Sequence, residues 1–151
     1  MEQNGYDPDR GVFIQAFDRP EMDSSLLLLP IVGFVDHRDE RMIRTTDAVR
    51  EDLGEAGLLR RYAPTDDGLP GKEGVFLAAS FWLAECLARQ GRLEEAHKVF
   101  KRALSTGNDL QLFAEEYDPE TNEMLGNFPQ GLTHLSLIAA IVAFKDMENA
   151  E

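Results

Sequence analysis

Five segments of this chain read as helices, and they alternate between two kinds. Residues 24–34, 75–89 and 132–144 are apolar around most of their circumference, whereas 39–53 and 93–104 keep apolar side chains on one face. In 39–53, Met42, Ile43, Thr46, Val49 and Leu53 fall at three-to-four spacing, and Arg41, Arg44, Asp47, Arg50 and Glu51 fill the remainder. In 93–104, Ala96, Val99, Phe100, Ala103 and Leu104 share a face opposite Glu94, Glu95, Lys98, Lys101 and Arg102. No convincing strand is visible. A double ring of helices needs this alternation, because an inner helix is covered on every side while an outer one keeps a wet face. Five helices cannot close such a ring, so the apolar helices carry more apolar surface than the chain can cover by itself.

The connections are unequal. Asp23 is placed to cap the first helix, and Pro30 should kink or end it. Residues 1–20 carry Gly5, Pro8, Gly11 and Pro20 without a period and read as a loop or extended lead-in. Gly91 makes a tight turn, but residues 58–74 and 106–130 form long irregular stretches, a length that in compact domains is usually functional.

Size and charge narrow the function. A chain of 151 residues is one domain or a piece of one. Lys plus Arg number 15 against 28 Asp plus Glu, a net charge of −13 whose field repels nucleic acid and anionic membranes. The longest apolar run, 26–35, falls short of a membrane span, and the N-terminal residues have neither the basic start nor the apolar stretch of a signal peptide. A cytoplasmic location is therefore expected. The single cysteine, Cys86, excludes an intrachain disulfide framework, and its flanks Leu83, Ala84, Leu87 and Ala88 predict a buried thiol.

Two patterns invite over-reading. Asp118-Pro119-Glu120-Thr121-Asn122-Glu123 spaces oxygen groups like the start of a calcium loop, but it lacks the central glycine and reads better as a solvated turn. His37, His97 and His134 show no metal pair at helical spacing, and neither a metal nor a cofactor is expected. Ala84, Leu87, Gly91, Ala96, Phe100 and Ala103 fit most positions of one tetratricopeptide repeat. Stepping back 34 residues from Gly91 reaches Gly57, yet Tyr62 then stands where a small residue belongs, so a plain helical hairpin explains the match.

The carboxylates carry more chemistry. Glu115 and Glu116 lie between Phe113 and Tyr117, and an acid among aromatics is a usual setting for proton transfer and sugar contact. Surface acids are the plainer reading of that pair taken alone. Adjacent side chains also point apart, so the two glutamates are not by themselves the opposed acid and base of glycoside hydrolysis.

Three blocks in order sharpen the reading. They are Arg61-Tyr62 leading to Asp67-Gly68-Leu69-Pro70-Gly71-Lys72-Glu73-Gly74-Val75-Phe76-Leu77 with Ser80-Phe81-Trp82, then Glu115-Glu116-Tyr117-Asp118-Pro119, then Leu125-Gly126-Asn127-Phe128-Pro129-Gln130 with His134. Together with Asp23 and the 26–30 run, they resemble the C-terminal part of family-15 glycoside hydrolases, the glucoamylase and bacterial trehalase family, over about residues 10–145. The resemblance implies an all-α fold, a partial (α/α)6 barrel with about five of twelve helices, the site lying where the long loops gather. It implies inverting hydrolysis of an α-glucoside such as trehalose or a maltooligosaccharide, with Glu115 as general base. Arg61 and Tyr62 match the family's sugar-binding pair, and Glu73, Glu116 and Tyr117 are expected to contact the sugar in the same pocket. The family's general acid lies in an earlier block that nothing here matches, so little turnover is expected of these residues alone.

The leading expectation is thus the C-terminal segment, residues 1–151, of a family-15-like α-glycosidase from a truncated, split or frameshifted gene. It would associate with a complementary N-terminal half or with itself. The alternatives are a small tetratricopeptide-like adaptor that binds a protein partner, and an inactive remnant that still binds sugar through Arg61, Tyr62 and Glu73.

Overall fold

The computed structural model describes residues 5–17, 19, 21–63 and 73–149. Its frame is four α-helices, α1 (Glu40–Leu53), α2 (Leu77–Arg89), α3 (Leu93–Leu104) and α4 (Gly131–Glu148). Asp39 caps α1 by accepting from the Arg41 backbone N–H at 2.9 Å, and the amphipathic pattern buries Met42, Thr46, Val49 and Leu53. Every residue of α2 except Trp82 and Arg89 is buried, as an inner helix requires. It packs against α3 through the hairpin that turns at Gly91, which is the source of the repeat-like pattern. The Phe81 ring makes edge-on contacts at 5.9 Å with Phe100 of α3 and at 5.8 Å with Phe113 of the loop ahead of α4.

The expectation for 24–34 needs correction. Only a short 3-10 helix, Ser24–Leu28, forms there, capped by Asp23 through the Ser25 backbone N–H at 2.7 Å, and turns follow. Pro30 has no N–H to continue a helix, so the chain bends, with the Phe34 backbone N–H reaching back to the Leu29 carbonyl at 3.0 Å.

Strands are also present, contrary to the sequence reading. β1 (Tyr6–Asp7) pairs with β2 (Val12–Phe13) inside the expected lead-in, and β3 (Gly54–Glu55) pairs with β4 (Leu58–Leu59) after α1. β5 (Val75–Phe76), β6 (Glu116–Asp118) and β7 (Glu123–Leu125) form an antiparallel sheet that takes the first two residues of the helix expected over 75–89. Phe13 is 2% exposed, so the lead-in contributes to the core.

α4 is half covered. It buries Thr133, Ser136, Ala140, Ala143 and Phe144 against α2 and α3, while Leu135 is 66% and Ile138 56% exposed. This is the surplus apolar surface anticipated from the helix count. No helix among the described residues is long and apolar enough to cross a membrane.

Candidate functional site

The long loops converge on the N-terminal ends of α2 and α4. Phe76 stands opposite Glu116 and Val75 opposite Tyr117 in the β5–β6 ladder, so two loops distant in sequence become one surface. The ladder can close because residue 74 is glycine: a Cβ there would meet the Tyr117 backbone oxygen at 2.7 Å.

Glu115 precedes β6 and is held by its main chain from several sides. Its carbonyl accepts from the Leu77 N–H at 3.1 Å, at the start of α2, and its N–H donates to the Asn127 carbonyl at 2.9 Å. One residue earlier, the Ala114 carbonyl accepts from the Thr133 hydroxyl of α4 at 3.0 Å. Its carboxylate Oε2 accepts from the Asn127 backbone N–H at 3.2 Å, and no cation among the described residues pairs with it. The side chain is half-buried, leaving the other oxygen open to accept.

Glu116 points elsewhere, as alternation along the chain dictates. Its Oε2 accepts from the Gly74 N–H at 3.1 Å. Burial pushes its carboxyl above the ordinary range against that hydrogen bond, with Glu73 and Glu115 adding repulsion and Arg60 opposing it. Glu73, Glu115 and Glu116 therefore share one field.

The Arg61-Tyr62 pair is brought to this surface. The Arg61 carbonyl accepts from the Ser24 N–H at 2.8 Å, and the guanidinium lies 5.7 Å from the Phe76 ring centre and 5.9 Å from that of Tyr62. No carboxylate among the described residues neutralises it, so its planar donors remain exposed. Tyr62 donates its hydroxyl to Glu73 Oε1 at 2.9 Å, and Arg60 reaches the Glu73 carbonyl at 3.3 Å. A cavity of about 270 Å³ lies beside Tyr62, lined by Gln15, Arg19, Glu21, Met22 and Ala63. A second cavity, about 320 Å³ between α1 and α3, touches none of these residues.

Tyr117 is not brought to the exposed side. It is 6% exposed, its ring lies 5.7 Å under the Arg102 guanidinium of α3, and its hydroxyl donates to Asn122 Oδ1 at 2.7 Å across the β6–β7 turn. That turn is the calcium-like stretch. It is closed locally by Asp118, whose Oδ1 accepts from the Glu120 N–H at 2.8 Å. His134 sits on α4 with Nδ1 2.7 Å from the Gln130 carbonyl. Residues 67–72 of the first motif block lie outside the described residues.

Gly74, Phe76, Gly126 and Asn127 were quoted in the motif blocks without a role. Gly74 and Phe76 take their part from pairing with a strand some forty residues away, and Gly126 and Asn127 from folding back onto Glu115 across a hairpin. The available signal was that two glycines stand where close backbone approach is needed.

The family model described as "Glycosyl hydrolases family 15" matches residues 1–142. A trehalase from Mycobacterium tuberculosis is 43% identical over 142 residues, covering 93% of this chain and 21% of its own length. A trehalase from Thermoplasma acidophilum is 42% identical over 134 residues, covering 89% of this chain and 23% of its own length. This chain thus spans about a fifth of the length of the curated relatives it matches. Among solved structures, a wild-type glycosidase superposes with a TM-score of 0.78 at 20% identity, over 95% of this chain and 41% of its own. A glycosidase variant in complex with glucose gives 0.78 at 19%, with the same coverage. These structures carry the fold: the four helices and small sheets match part of a helical glycosidase domain.

Proposed function

The chain belongs to glycoside hydrolase family 15, and from that premise we propose that it supplies the general base and part of the sugar pocket for inverting hydrolysis of an α-glucoside, trehalose foremost. The substrate class follows the matched relatives, which are trehalases. In this reading Glu115 takes a proton from the water that attacks the anomeric carbon. The glycosidic C–O bond breaks on the opposite face, and an acid outside these residues protonates the departing oxygen.

The observation that carries the reading is the setting of Glu115. Its main chain is fixed to α2 and to Asn127, while among the described residues its carboxylate is held by one neutral donor and no cation. A base needs that combination: a fixed position with an oxygen left to accept a proton. Arg61, which no carboxylate among the described residues neutralises, would donate paired hydrogen bonds to sugar hydroxyls. Tyr62 and Glu73, joined by their hydrogen bond, would present further groups, and Glu116 would hold the Gly74 strand beside them. Tyr117 would act indirectly, by fixing the β6–β7 hairpin. The exposed apolar face of α4 would be covered by the rest of the barrel, since turnover requires the partner acid.

Grafting residues 1–142, the span of the family match, into the Mycobacterium tuberculosis trehalase in place of its corresponding segment tests the proposal. A competent graft hydrolyses trehalose, and NMR of the first products finds α- and β-glucose in equal amounts, because inversion changes one of two α-linked units. α-Glucose alone would contradict inversion. A folded graft without hydrolysis would contradict the catalytic reading.

A further inference from the structure

Gly126 and Asn127 fold back onto Glu115. Gly126 has φ +71°, and a Cβ built on it would lie 2.9 Å from Glu115 Oε2, 3.0 Å from its Cβ and 3.4 Å from its Cδ. The carboxylate therefore occupies the space that a side chain at 126 would take. Asn127 then makes two bonds to the same residue: its N–H donates to Oε2 at 3.2 Å and its carbonyl accepts the Glu115 N–H at 2.9 Å. One peptide segment thus fixes both the backbone and the carboxylate of Glu115.

Resting on the assignment of Glu115 as base, we propose that Gly126 and the Asn127 amide are positioning residues that select the rotamer of that base. A free glutamate side chain samples several staggered rotamers. Here the missing Cβ opens one of them and a backbone donor holds it, so one oxygen is occupied and the other is left to accept a proton. A backbone donor suits this task, because it is carried by a hairpin and has no rotamers of its own. The requirement at 126 is then for space as well as for a positive φ.

Asparagine separates these two requirements, since it tolerates the left-handed region yet brings a Cβ. In nitrogen-15 NMR of the full chain, Glu115→Gln is expected to move the Asn127 amide resonance while leaving amides of α2 in place. In a Gly126→Asn background the same substitution should no longer move it. An Asn127 amide that ignores Glu115→Gln, or that still responds in Gly126→Asn, overturns the assignment. Should Gly126→Asn fail to fold, the comparison of Glu115→Gln with the unmodified chain still decides whether the bond exists.

The grafted trehalase separates this inference from the one beneath it. A misplaced base costs turnover more than binding, so Gly126→Asn should lower kcat by about 100-fold with KM changed less than about threefold. If Glu115→Gln abolishes turnover while Gly126→Asn keeps it, positioning fails and the base stands. If Glu115→Gln itself keeps turnover, the base reading fails whatever the NMR result.

Discussion

Tyr62 donates its hydroxyl to Oε1 of Glu73 at 2.9 Å, across eleven residues of sequence. The bond joins the residue that bridges to Asp23 with the one just ahead of β5, so two of the motif residues act as one unit. Both lie at the surface, where such a bond adds little to stability but fixes the direction of two polar groups. In the grafted trehalase, Tyr62→Phe should therefore weaken trehalose binding roughly 3- to 10-fold while moving Tm by no more than about a degree. Isothermal titration and thermal melting of the same sample check both halves. A large loss of Tm with unchanged affinity would make the bond structural.

Glu116 gives the protein a pH dependence of stability whose sign is unusual for a carboxylate. Burial raises its pKa in the folded state, so between the ordinary carboxylate value and that raised value the folded chain binds more protons than the unfolded one. Stability from this group is present below the window and falls as pH rises through it. Glu116→Gln keeps an acceptor for the Gly74 N–H and removes the titration. Urea unfolding from about pH 4 to about pH 7 should show the unmodified chain losing stability relative to the variant. Parallel curves would refute this.

Glu95 carries the opposite sign. The Arg92 guanidinium, bonded through 2.9 and 3.0 Å contacts, and then Arg50 at 2.5 Å, hold its carboxyl down to about 2. Its contribution is present above the ordinary glutamate range and is lost as pH falls toward about 2. The side chain is 37% exposed, so screening should keep the effect small and salt should shrink it. Glu95→Gln is expected to lower Tm slightly at pH 7, with the difference vanishing near pH 2 and in about 1 M salt. A difference that persists at low pH would point to packing.

Cys86 should be silent in the folded chain. Its thiol is fully buried, donates to the Leu27 carbonyl at 3.2 Å, and is pushed far above the ordinary thiol range chiefly by that burial. Labelling with a thiol reagent at pH 8 is expected only at the rate of unfolding, and denaturant should release one reactive thiol per chain. Rapid labelling without denaturant would contradict the inner-helix packing of α2.

The helices were legible where local rules decide them. α1 and α3 lie within a residue of their sequence bounds because Asp39 caps one, Gly91 precedes the other, and both have a clean apolar face. Residues 24–34 misled because an apolar run has no period to separate a helix from a turn, and Pro30 outweighed its leucines. The strands went unseen because two or three residues cannot show alternation. Val75-Phe76 looks like helix until its partner Glu116-Tyr117 is known. The site divides the same way. Glu115, Arg61, Tyr62 and Glu73 came from motif order, and the structure brings them to one surface. The grip of Asn127 on Glu115 and of Gly74 on Glu116 depends on pairings that no local pattern announces.

The central claim is that Glu115 is the base. The direct measurement is trehalose hydrolysis by the graft and by its Glu115→Gln variant, with amide NMR verifying that both are folded. Glutamine preserves the shape and the acceptor for the Asn127 N–H but cannot take a proton. The account predicts a loss of about 100- to 10,000-fold in kcat with trehalose binding retained. A folded variant that turns over within threefold of the unmodified graft would contradict it.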